Sequence, residues 1–251
     1  VYEKYNRQFG SANVVTAAIV AKSGTIYDEQ FLEKVYAFTD QIDKVEGVDH
    51  GQISSITAIT IRDQEVDREG ILRSRQIIGE QAIALLEAQF FTRRTLRLAA
   101  SQNAGKVPST FEELRAHAAK RKAELVEQLA PTQATRLEQM TDRDEAERLR
   151  LLRKENAQLE FLILRLEELP PGYELKGEEL AGPDGNLIPA ELMATLPDRI
   201  HQNKQVFGRL VSLDDQAALI SAGFIEGRLD YSQIFREIYD LKTELESDGT
   251  A

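Results

Sequence analysis

A long stretch of strongly helical sequence, residues 79 to 168, most constrains what this chain can fold into. It consists largely of Leu, Ala, Glu, Arg and Gln, and only "NAGKVPST" and "APT" interrupt it. These are strong helix formers, whereas strands favour β-branched and aromatic residues. The sequence on either side mixes short β-branched runs with helical ones. The pattern predicts an α+β fold that carries a large helical insertion.

The helical stretch divides into three predicted helices. The first lies near 80–100, the second starts after Thr110, and the third ends near Leu169. Thr110 and Glu113 form the Thr-x-x-Glu capping box that typically begins a helix. Two places remain open for the turn between the second and third helices, namely Pro131 and the "MTD" segment at 140–142.

The third predicted helix carries a candidate helix–helix seam. Six residues follow the spacing of three and four that lines a coiled-coil interface: Leu149, Leu152, Asn156, Leu159, Ile163 and Leu166. A polar Asn at a core position of such a seam fixes the register. Because the seam is short, an antiparallel hairpin within one chain is the preferred interpretation. An intermolecular coiled coil is the alternative.

The N-terminal flank predicts a strand, a helix and a second strand. Residues 13–21 are apolar and β-branched, as in a buried strand. Asp28 is a good N-cap, and Gly47 fits the left-handed position just past a helix C-terminus. Between them, apolar residues recur on one helical face: Phe31, Val35, Phe38, Ile42 and Val45. Residues 48–62 then predict a strand with a break near Gly51.

The C-terminal flank predicts a hairpin and a helix. After a turn-rich segment at 170–189, a short helix runs to about 204, and residues 207–224 split into two β-like runs around Leu213, Asp214, Asp215 and Gln216. Asp230 opens a last helix with one apolar face, made by Ile234, Ile238, Leu241 and Leu245. A crossover helix normally delivers a further strand, and none follows before Ala251. We therefore expect a fragment of a longer polypeptide whose closing strand is missing.

Composition excludes several classes of function. The net charge is −11, with the acidity concentrated in the C-terminal third, and no basic stripe is interleaved with aromatics. Such a surface repels phosphate backbones, so nucleic acid is not an expected partner. The chain has no Cys, which removes disulfides, thiolate zinc sites and thiol nucleophiles. It contains no apolar run long enough to span a membrane.

The residues that most often carry chemistry show no catalytic pattern. His50, His117 and His201 have no second ligand at suitable spacing, so they are interpreted as surface residues. Asp214 and Asp215 are interpreted as turn residues, with catalysis as the minor alternative. The common phosphate-binding, hydrolase and zinc-protease motifs are absent. We expect no enzyme activity, no catalytic residues, no cofactor and no metal site.

Two charged clusters offer weaker alternatives. The first is acidic and is interpreted as a solvated loop rather than a cation site: Glu178, Glu179 and Asp184. The second is basic, follows Phe90 and Phe91, and lies on the first insertion helix: Arg93, Arg94 and Arg97. An amphipathic basic helix can lie on lipid headgroups or a partner. The preferred interpretation is a core face with a solvated basic edge.

Two blocks that flank the insertion resemble a known transporter family. They are "GTIYDEQFLEKVYAFTDQIDKVEGVDHGQISSITAITIR", preceded by "FGSANVVTAAIV", and "GRLVSLDDQAALISAGFIEGRLDYSQIFREIYDLKTEL". The pattern of strand, helix, Gly47-Val48 and Ser54-Ser55, followed by Gly208, Val211, Ser212 and Asp214, resembles the first periplasmic loop of RND superfamily exporters of the MMPL and Patched-like branch. The resemblance is structural and leaves the insertion outside it.

The resemblance implies a ferredoxin-like porter subdomain of a proton-driven inner-membrane transporter. Its two halves are residues 1–78 and 189–251, and residues 79–188 form the helical arm. The implied cargo is a lipid or other hydrophobic or amphiphilic compound, with sterol- or hopanoid-like molecules as one class. The implied partners are the membrane, through helices outside this sequence, and a sister subunit or periplasmic accessory protein that meets the arm. The alternative is a non-membrane coiled-coil interaction or scaffold protein with an α/β module.

Overall fold

The computed structural model describes residues 13–45, 47–66, 68–101, 107–132, 142–225 and 231–247, and its mixed α+β fold agrees with the prediction. The strands are β1 (Val14–Val20), β2 (Val48–Ser54), β3 (Arg62–Val66), β4 (Leu72–Gln76), β5 (Glu174–Lys176), β6 (Glu179–Ala181) and β7 (Ala217–Phe224). The helices are α1 (Glu29–Asp43), α2 (Glu80–Ser101), α3 (Phe111–Leu129), α4 (Arg143–Glu168), α5 (Ala190–Gln202) and α6 (Tyr231–Ser247).

The chain forms two compact units. The α/β unit comprises residues 1–86 and 190–251, and the helical unit comprises residues 87–189. The sequence placed these boundaries at 78/79 and 188/189. The first boundary moves because α2 begins within the α/β unit, where Leu85 and Leu86 are fully or almost fully buried. A helical pattern marks where a helix starts, but it does not say which core the first turns join.

The main sheet joins strands from both flanks of the insertion. β7 lies in the centre and pairs antiparallel with β1 on one side and β2 on the other. The β1 register is regular from Val14 opposite Gly223 to Val20 opposite Ala217. The β2 register shifts between Val48 and Ile53, close to the break expected near Gly51. Segments far apart along the chain therefore share one sheet.

Helix α1 forms the centre of the α/β core. Asp28 caps it by accepting a hydrogen bond from the Phe31 backbone N–H at 3.0 Å, as predicted. The predicted apolar face is buried throughout, and Gly47 has the expected positive φ, +86°. The α6 residues Ile234 and Leu241 are buried as well. Asp230, the predicted cap of α6, and the side chain of Leu245 lie outside the described residues.

Two strand predictions need correction. β2 ends at Ser54, and the "SITA" segment that follows is a buried turn rather than a strand. Residues 62–76 form the β3–β4 hairpin, which the sequence did not reveal because its strands are rich in charged residues. Residues 207–211 form isolated bridges instead of a full strand, with Val211 opposite Ala218. The hairpin around 213–216 is thus irregular on its first arm.

A leucine-rich core holds the helical unit together. It contains Phe91, Leu96, Leu114, Ala118, Leu125, Leu159, Leu162 and Leu166, which come from α2, α3 and α4. Thr110 caps α3 through the Glu113 backbone N–H, and the Glu113 carboxylate accepts from Ser109. Both proposed turn sites bound the connection: α3 ends just before Pro131, and Asp142 caps α4. Residues 140 and 141 of the "MTD" segment lie outside the described residues.

Candidate functional site

Three polar side chains that are distant in sequence meet in the α/β unit. The Tyr27 hydroxyl donates to Asp215 Oδ1 at 2.8 Å, and His201 Nε2 lies 2.8 Å from Asp215 Oδ2. The same His201 nitrogen is 3.2 Å from the Tyr27 hydroxyl oxygen. Tyr27 precedes α1, His201 lies in the last turn of α5, and Asp215 belongs to the turn before β7. The cluster therefore joins three segments around one carboxylate.

The backbone around Asp215 fixes the position of its carboxylate. Asp215 has a φ of +57°, a left-handed conformation that Asp tolerates better than most residues. Its carbonyl accepts a hydrogen bond from the Ile26 backbone N–H at 2.8 Å, and its own N–H donates to Ser212 O at 3.1 Å. The turn is thereby tied to the segment that carries Tyr27. The backbone carbonyl of Asp215 and its side-chain carboxylate therefore both accept hydrogen bonds from the Ile26–Tyr27 segment.

Asp214, the other carboxylate of the pair, points to a different set of partners. Its Oδ1 accepts from the Ser212 hydroxyl at 2.5 Å and from the Gln216 backbone N–H at 3.3 Å. The Ser212 hydrogen bond, followed by that from Gln216, holds the pKa of this exposed carboxyl below its usual value. The two neighbouring carboxylates diverge as expected for a turn. They do not form a pair suited to acid–base catalysis.

Burial, and then the hydrogen bond and charge of Asp215, raise the pKa of the Tyr27 hydroxyl well above its ordinary value of 10.0. Tyr27 therefore stays protonated and acts as a donor. The ring of His201 packs edge-on against Phe207, with 4.5 Å between ring centroids. Short polar contacts thus join the Tyr27 hydroxyl, the Asp215 carboxylate and the His201 ring. These hydrogen bonds fasten the segment before α1 and the end of α5 to the turn before β7.

The other histidines stand apart from this cluster. His50 Nδ1 lies 2.6 Å from Asp43 Oδ1 on an exposed surface, and His117 is partly buried in α3. Among the residues that the structure describes, no group of three or more His, Asp or Glu side chains is placed to hold a metal ion. His201 is exposed, in agreement with its interpretation as a surface residue, but it does have a carboxylate partner, which comes from a turn 14 residues away.

Two residues of the basic cluster pair with two residues of the acidic cluster in the helical unit. Arg93 lies 3.1 Å from Glu179, and Arg97 lies 3.6 Å from Glu178. Between them, the buried Gln89 accepts from the Leu180 N–H at 2.7 Å and donates to Glu178 O at 3.3 Å. The Gln89 amide thus pairs with the backbone of Glu178 and Leu180, at the start of β6, much as a neighbouring strand would. The contacts fasten the β5–β6 hairpin to α2.

The predicted seam faces the neighbouring helices of the same chain. Leu159 and Leu166 belong to the leucine-rich core, Leu152 and Ile163 pack against it, and Leu149 is buried. Asn156 also lies in this helix. Its side-chain oxygen Oδ1 is buried and has no hydrogen-bond partner. Leu162, which the seam pattern left out, is fully buried and part of the core. The sequence missed it because α4 packs on two helices, which widens its apolar face.

Ion pairs also cross from α3 to α4. Arg121 binds both carboxylate oxygens of Glu155, at 2.7 Å and 3.0 Å. Arg115 lies 2.7 Å from Glu167, and Lys122 lies 3.3 Å from Glu160. These contacts join helices that run in opposite directions along the chain. Together with the buried leucines, they give an antiparallel hairpin within one chain.

Within the described part of the chain, no helix combines the length and the hydropathy needed to cross a bilayer. Comparison of the chain with protein-family models, with curated proteins and with solved structures found no match.

Proposed function

We propose that this chain is the periplasmic domain of an inner-membrane RND-type transporter that uses the proton gradient to export lipids or other hydrophobic or amphiphilic compounds. Sterol- or hopanoid-like molecules are one class of cargo in this proposal. The observation that carries it is the strand order β1-β7-β2, in which two distant blocks of sequence build one antiparallel sheet. Those are the blocks that resemble the RND porter subdomain.

The strand order supports a ferredoxin-like arrangement. In such a βαββαβ unit the third strand lies between the first two, and helices follow the first and third strands. Here β1, β2 and β7 take the first three strand positions, and α1 and α6 are the helices. The position beyond β1 is that of the fourth strand. We assign it to the closing strand expected outside these residues.

A porter subdomain needs no bond chemistry. It works by shifting packed elements against one another, so each element must move as a unit. The Tyr27–Asp215–His201 cluster supports this role because it fastens the segment before α1, the end of α5 and the turn before β7. In the proposed mechanism these elements move together. The cargo path then changes shape without a catalytic residue in this domain.

The helical arm is the proposed contact for a sister subunit or a periplasmic accessory protein. Its helices already pack against one another through the leucine-rich core, and ion pairs join α3 to α4. The arm therefore needs no second chain to fold, and its outer surface is available. Exposed apolar residues on that surface include Val126 and Leu151.

The gene's own flanks give the first test. We expect two apolar runs of about 20 residues, one before Val1 and one after Ala251, as transmembrane helices require. Deleting that gene should also change the lipid content of the outer envelope, and restoring it should reverse the change. Flanks that lack both runs would remove the proposal.

Removal of α3 and α4 from the full-length protein tests the arm. With a short linker in place of residues 111–168, we expect partner co-purification and export to fall while the protein still reaches the membrane. The Arg148→Ala variant, which changes only an exposed arm ion pair with Glu145, is the matched control. Unchanged export and association after the deletion would remove the role of the arm.

A second candidate is a scaffold protein that acts through the helical hairpin. The intrachain ion pairs of α3 and α4 favour it, because a self-contained helical rod suits the display of binding surfaces. The flanks again discriminate: a complete gene without apolar runs favours the scaffold. In that case the hairpin alone should retain partner binding.

A further inference from the structure

The two faces of the main sheet differ in how far they are covered. α1 packs against β2 and β7, and the β7 residues on the covered face are fully or almost fully buried: Ala218, Ile220, Ala222 and Phe224. The alternate residues of β7 and their partners on β1 point to the opposite side of the sheet. On that side Val14 is 48% exposed and Val20 is 61% exposed, although both are apolar.

The second face, which we call the bare face, is made of four cross-strand pairs of β1 and β7. They are Val14–Gly223, Thr16–Ser221, Ala18–Leu219 and Val20–Ala217. Ser54 of β2 lies opposite Ser221 and extends the bare face by one residue. None of these residues is charged, whereas 29% of the residues of the chain are. Because the solvated face of an antiparallel sheet is usually polar, an uncharged one indicates a binding surface.

The bare face is flat and has a polar corner. Ala, Ser, Thr and Gly make up most of it, so few side chains rise above the sheet. At one corner Gln52 lies across Gly223: a Cβ atom placed on Gly223 would come within 2.5 Å of Gln52 Oε1. Gln52 Nε2 donates to Asp49 Oδ2 at 2.7 Å. A flat apolar area with a polar rim of this kind fits a flat molecule better than a protruding side chain.

The size of the bare face favours a small molecule over a protein. Strands rise about 3.4 Å per residue and lie about 4.8 Å apart, so the bare face measures about 20 Å by 10 Å. A specific protein–protein interface buries about 800 Å² on each partner, which is about four times this area. The bare face is therefore too small to hold a second copy of the chain or another protein by itself.

We propose that the bare face binds an uncharged, flat and rigid hydrophobic molecule, which lies on β1 and β7 between Val14 and Val20. A rigid flat molecule makes van der Waals contacts over the whole area and loses little conformational entropy on binding. A flexible acyl chain loses more, because its rotamers must be ordered on the surface. A charged lipid gives up the hydration of its charge and gains no partner on the bare face.

The inference deepens the proposed function and rests on it for the role of the bound molecule as cargo, since the bare face then forms one wall of the cargo path. A closing strand beside β1 extends the sheet in its own plane and leaves the bare face open, so the two assignments agree. The two proposals fail separately. Loss of binding removes this site and leaves the exporter, whereas gene flanks without apolar runs remove the exporter and leave the site.

Equilibrium dialysis with two fluorescent probes that share one ring system tests the site. 1-Pyrenemethanol is flat and uncharged, and 1-pyrenesulfonate has the same rings with a negative charge. We expect the chain of residues 1–251 to bind pyrenemethanol and to bind pyrenesulfonate at least about tenfold more weakly, because burying an unpaired charge is costly. Equal binding of the two probes, or no binding of pyrenemethanol, overturns the proposal.

A lysine on the bare face should reverse this preference. In Ala18→Lys we expect pyrenemethanol to bind about tenfold more weakly than in the wild type and pyrenesulfonate about tenfold more tightly, because the new charge meets the sulfonate. Thr243→Lys adds the same charge to an exposed position of α6 and should leave both affinities unchanged. Circular dichroism confirms the folding of each variant. Equal changes in the two variants, or weaker binding of both probes to folded Ala18→Lys, overturn the proposal.

A second test needs no charged variant and uses introduced cysteines, because the native sequence has none. Thr16→Cys places a thiol on the bare face, and Thr243→Cys places one on α6. Saturating pyrenemethanol should slow the reaction of maleimide with Thr16→Cys severalfold and leave Thr243→Cys unchanged. Equal rates with and without the probe overturn the site. Sedimentation equilibrium should give the chain mass of 28.3 kDa, and twice that mass with Thr16→Cys protected without the probe would assign the bare face to a second copy instead.

Discussion

The α/β unit and the helical unit are held together by different kinds of long-range contact. In the α/β unit, specific polar atoms link distant segments: Tyr27 donates to Asp215, and Arg199 donates to Gln76 O at 2.6 Å. In the helical unit, leucines from three helices fill a core, and ion pairs line its exposed borders. We therefore expect the α/β unit to be sensitive to the loss of single hydrogen-bonding atoms. The helical unit should respond mainly to lost apolar volume.

The clearest polar link of the α/β unit is a triangle of buried hydroxyls. Thr39 Oγ1 donates to Val35 O at 2.7 Å and lies 2.8 Å from Ser55 Oγ. Thr57 Oγ1 donates to Thr39 Oγ1 at 3.0 Å and lies 3.1 Å from Ser55 Oγ. The triangle attaches the turn after β2 to the buried face of α1. In the helical unit, Gln89 makes the corresponding buried polar contact with the hairpin backbone, whereas the backbone groups inside α2, α3 and α4 are satisfied within each helix.

The largest expected effect is that of Leu162→Ala in the helical unit. Leu162 is fully buried, and removing such a side chain costs about 2–5 kcal/mol of the free energy of unfolding. Leu164→Ala, on the same helix but 45% exposed, is the matched control and should cost much less. Hydrogen exchange should show lost amide protection in α3 and α4. Equal loss in β7 would contradict the division into two separately held units.

The next largest effect tests the polar side of the comparison. Thr39→Val preserves shape but removes a hydroxyl from the buried triangle, and it leaves Ser55 and Thr57 with fewer partners. We expect a loss of about 1–3 kcal/mol, the cost of leaving buried polar groups unsatisfied. Thr243→Val is the control, because Thr243 makes the same bond to the carbonyl four residues earlier on an exposed helix surface. Similar urea midpoints for both variants would show that the triangle contributes nothing.

A smaller effect is expected for the ion pairs of the helical unit. Arg121 and Glu155 are the least exposed of the α3–α4 pairs and share two hydrogen bonds. Arg121→Met should cost about 1 kcal/mol, the upper end for pairs near a surface. Arg148→Met, which removes an exposed pair with Glu145, should have no measurable effect. Added salt should reduce the loss of unfolding free energy caused by Arg121→Met. A loss as large as that of Leu162→Ala would contradict the expectation that the helical unit depends mainly on buried apolar volume.

The sequence was most informative where structure depends on local pattern. The helix α1 face, its Asp28 cap, the Thr110 cap and the positive φ of Gly47 all follow from short-range spacing. The apolar seam of α4 also follows from spacing, apart from Leu162. These features are readable because a helix places residues three and four apart on one face.

The polar links were not readable, because they join residues far apart in sequence. Tyr27 and Asp215 are separated by 188 positions, and neither stands in a motif that announces the other. The β3–β4 hairpin was missed for a different reason, since its charged strands lack the alternation of a half-buried sheet. In the helical unit, Arg93 and Glu179 each suggested a separate surface until the fold paired them. Charge patterns alone do not show which charges will meet.

The smallest expected effect concerns Tyr27 and depends on pH. Tyr27→Phe keeps the ring, and Asp215 retains His201, so we expect a loss of about 0.5 kcal/mol near neutral pH, the lower end for a hydrogen bond. Because the pKa of Tyr27 is raised in the folded state, its contribution is fully present below its ordinary value of 10.0 and is lost as pH rises through the raised pKa. Urea denaturation between pH 8 and 11 should therefore show the wild type losing stability faster than Tyr27→Phe once the pH passes that value. A difference in unfolding free energy between the two proteins that stays constant over the whole pH range would mean that Asp215 does not hold the Tyr27 hydroxyl. The α/β unit would then have one fewer of the polar links that distinguish it from the helical unit.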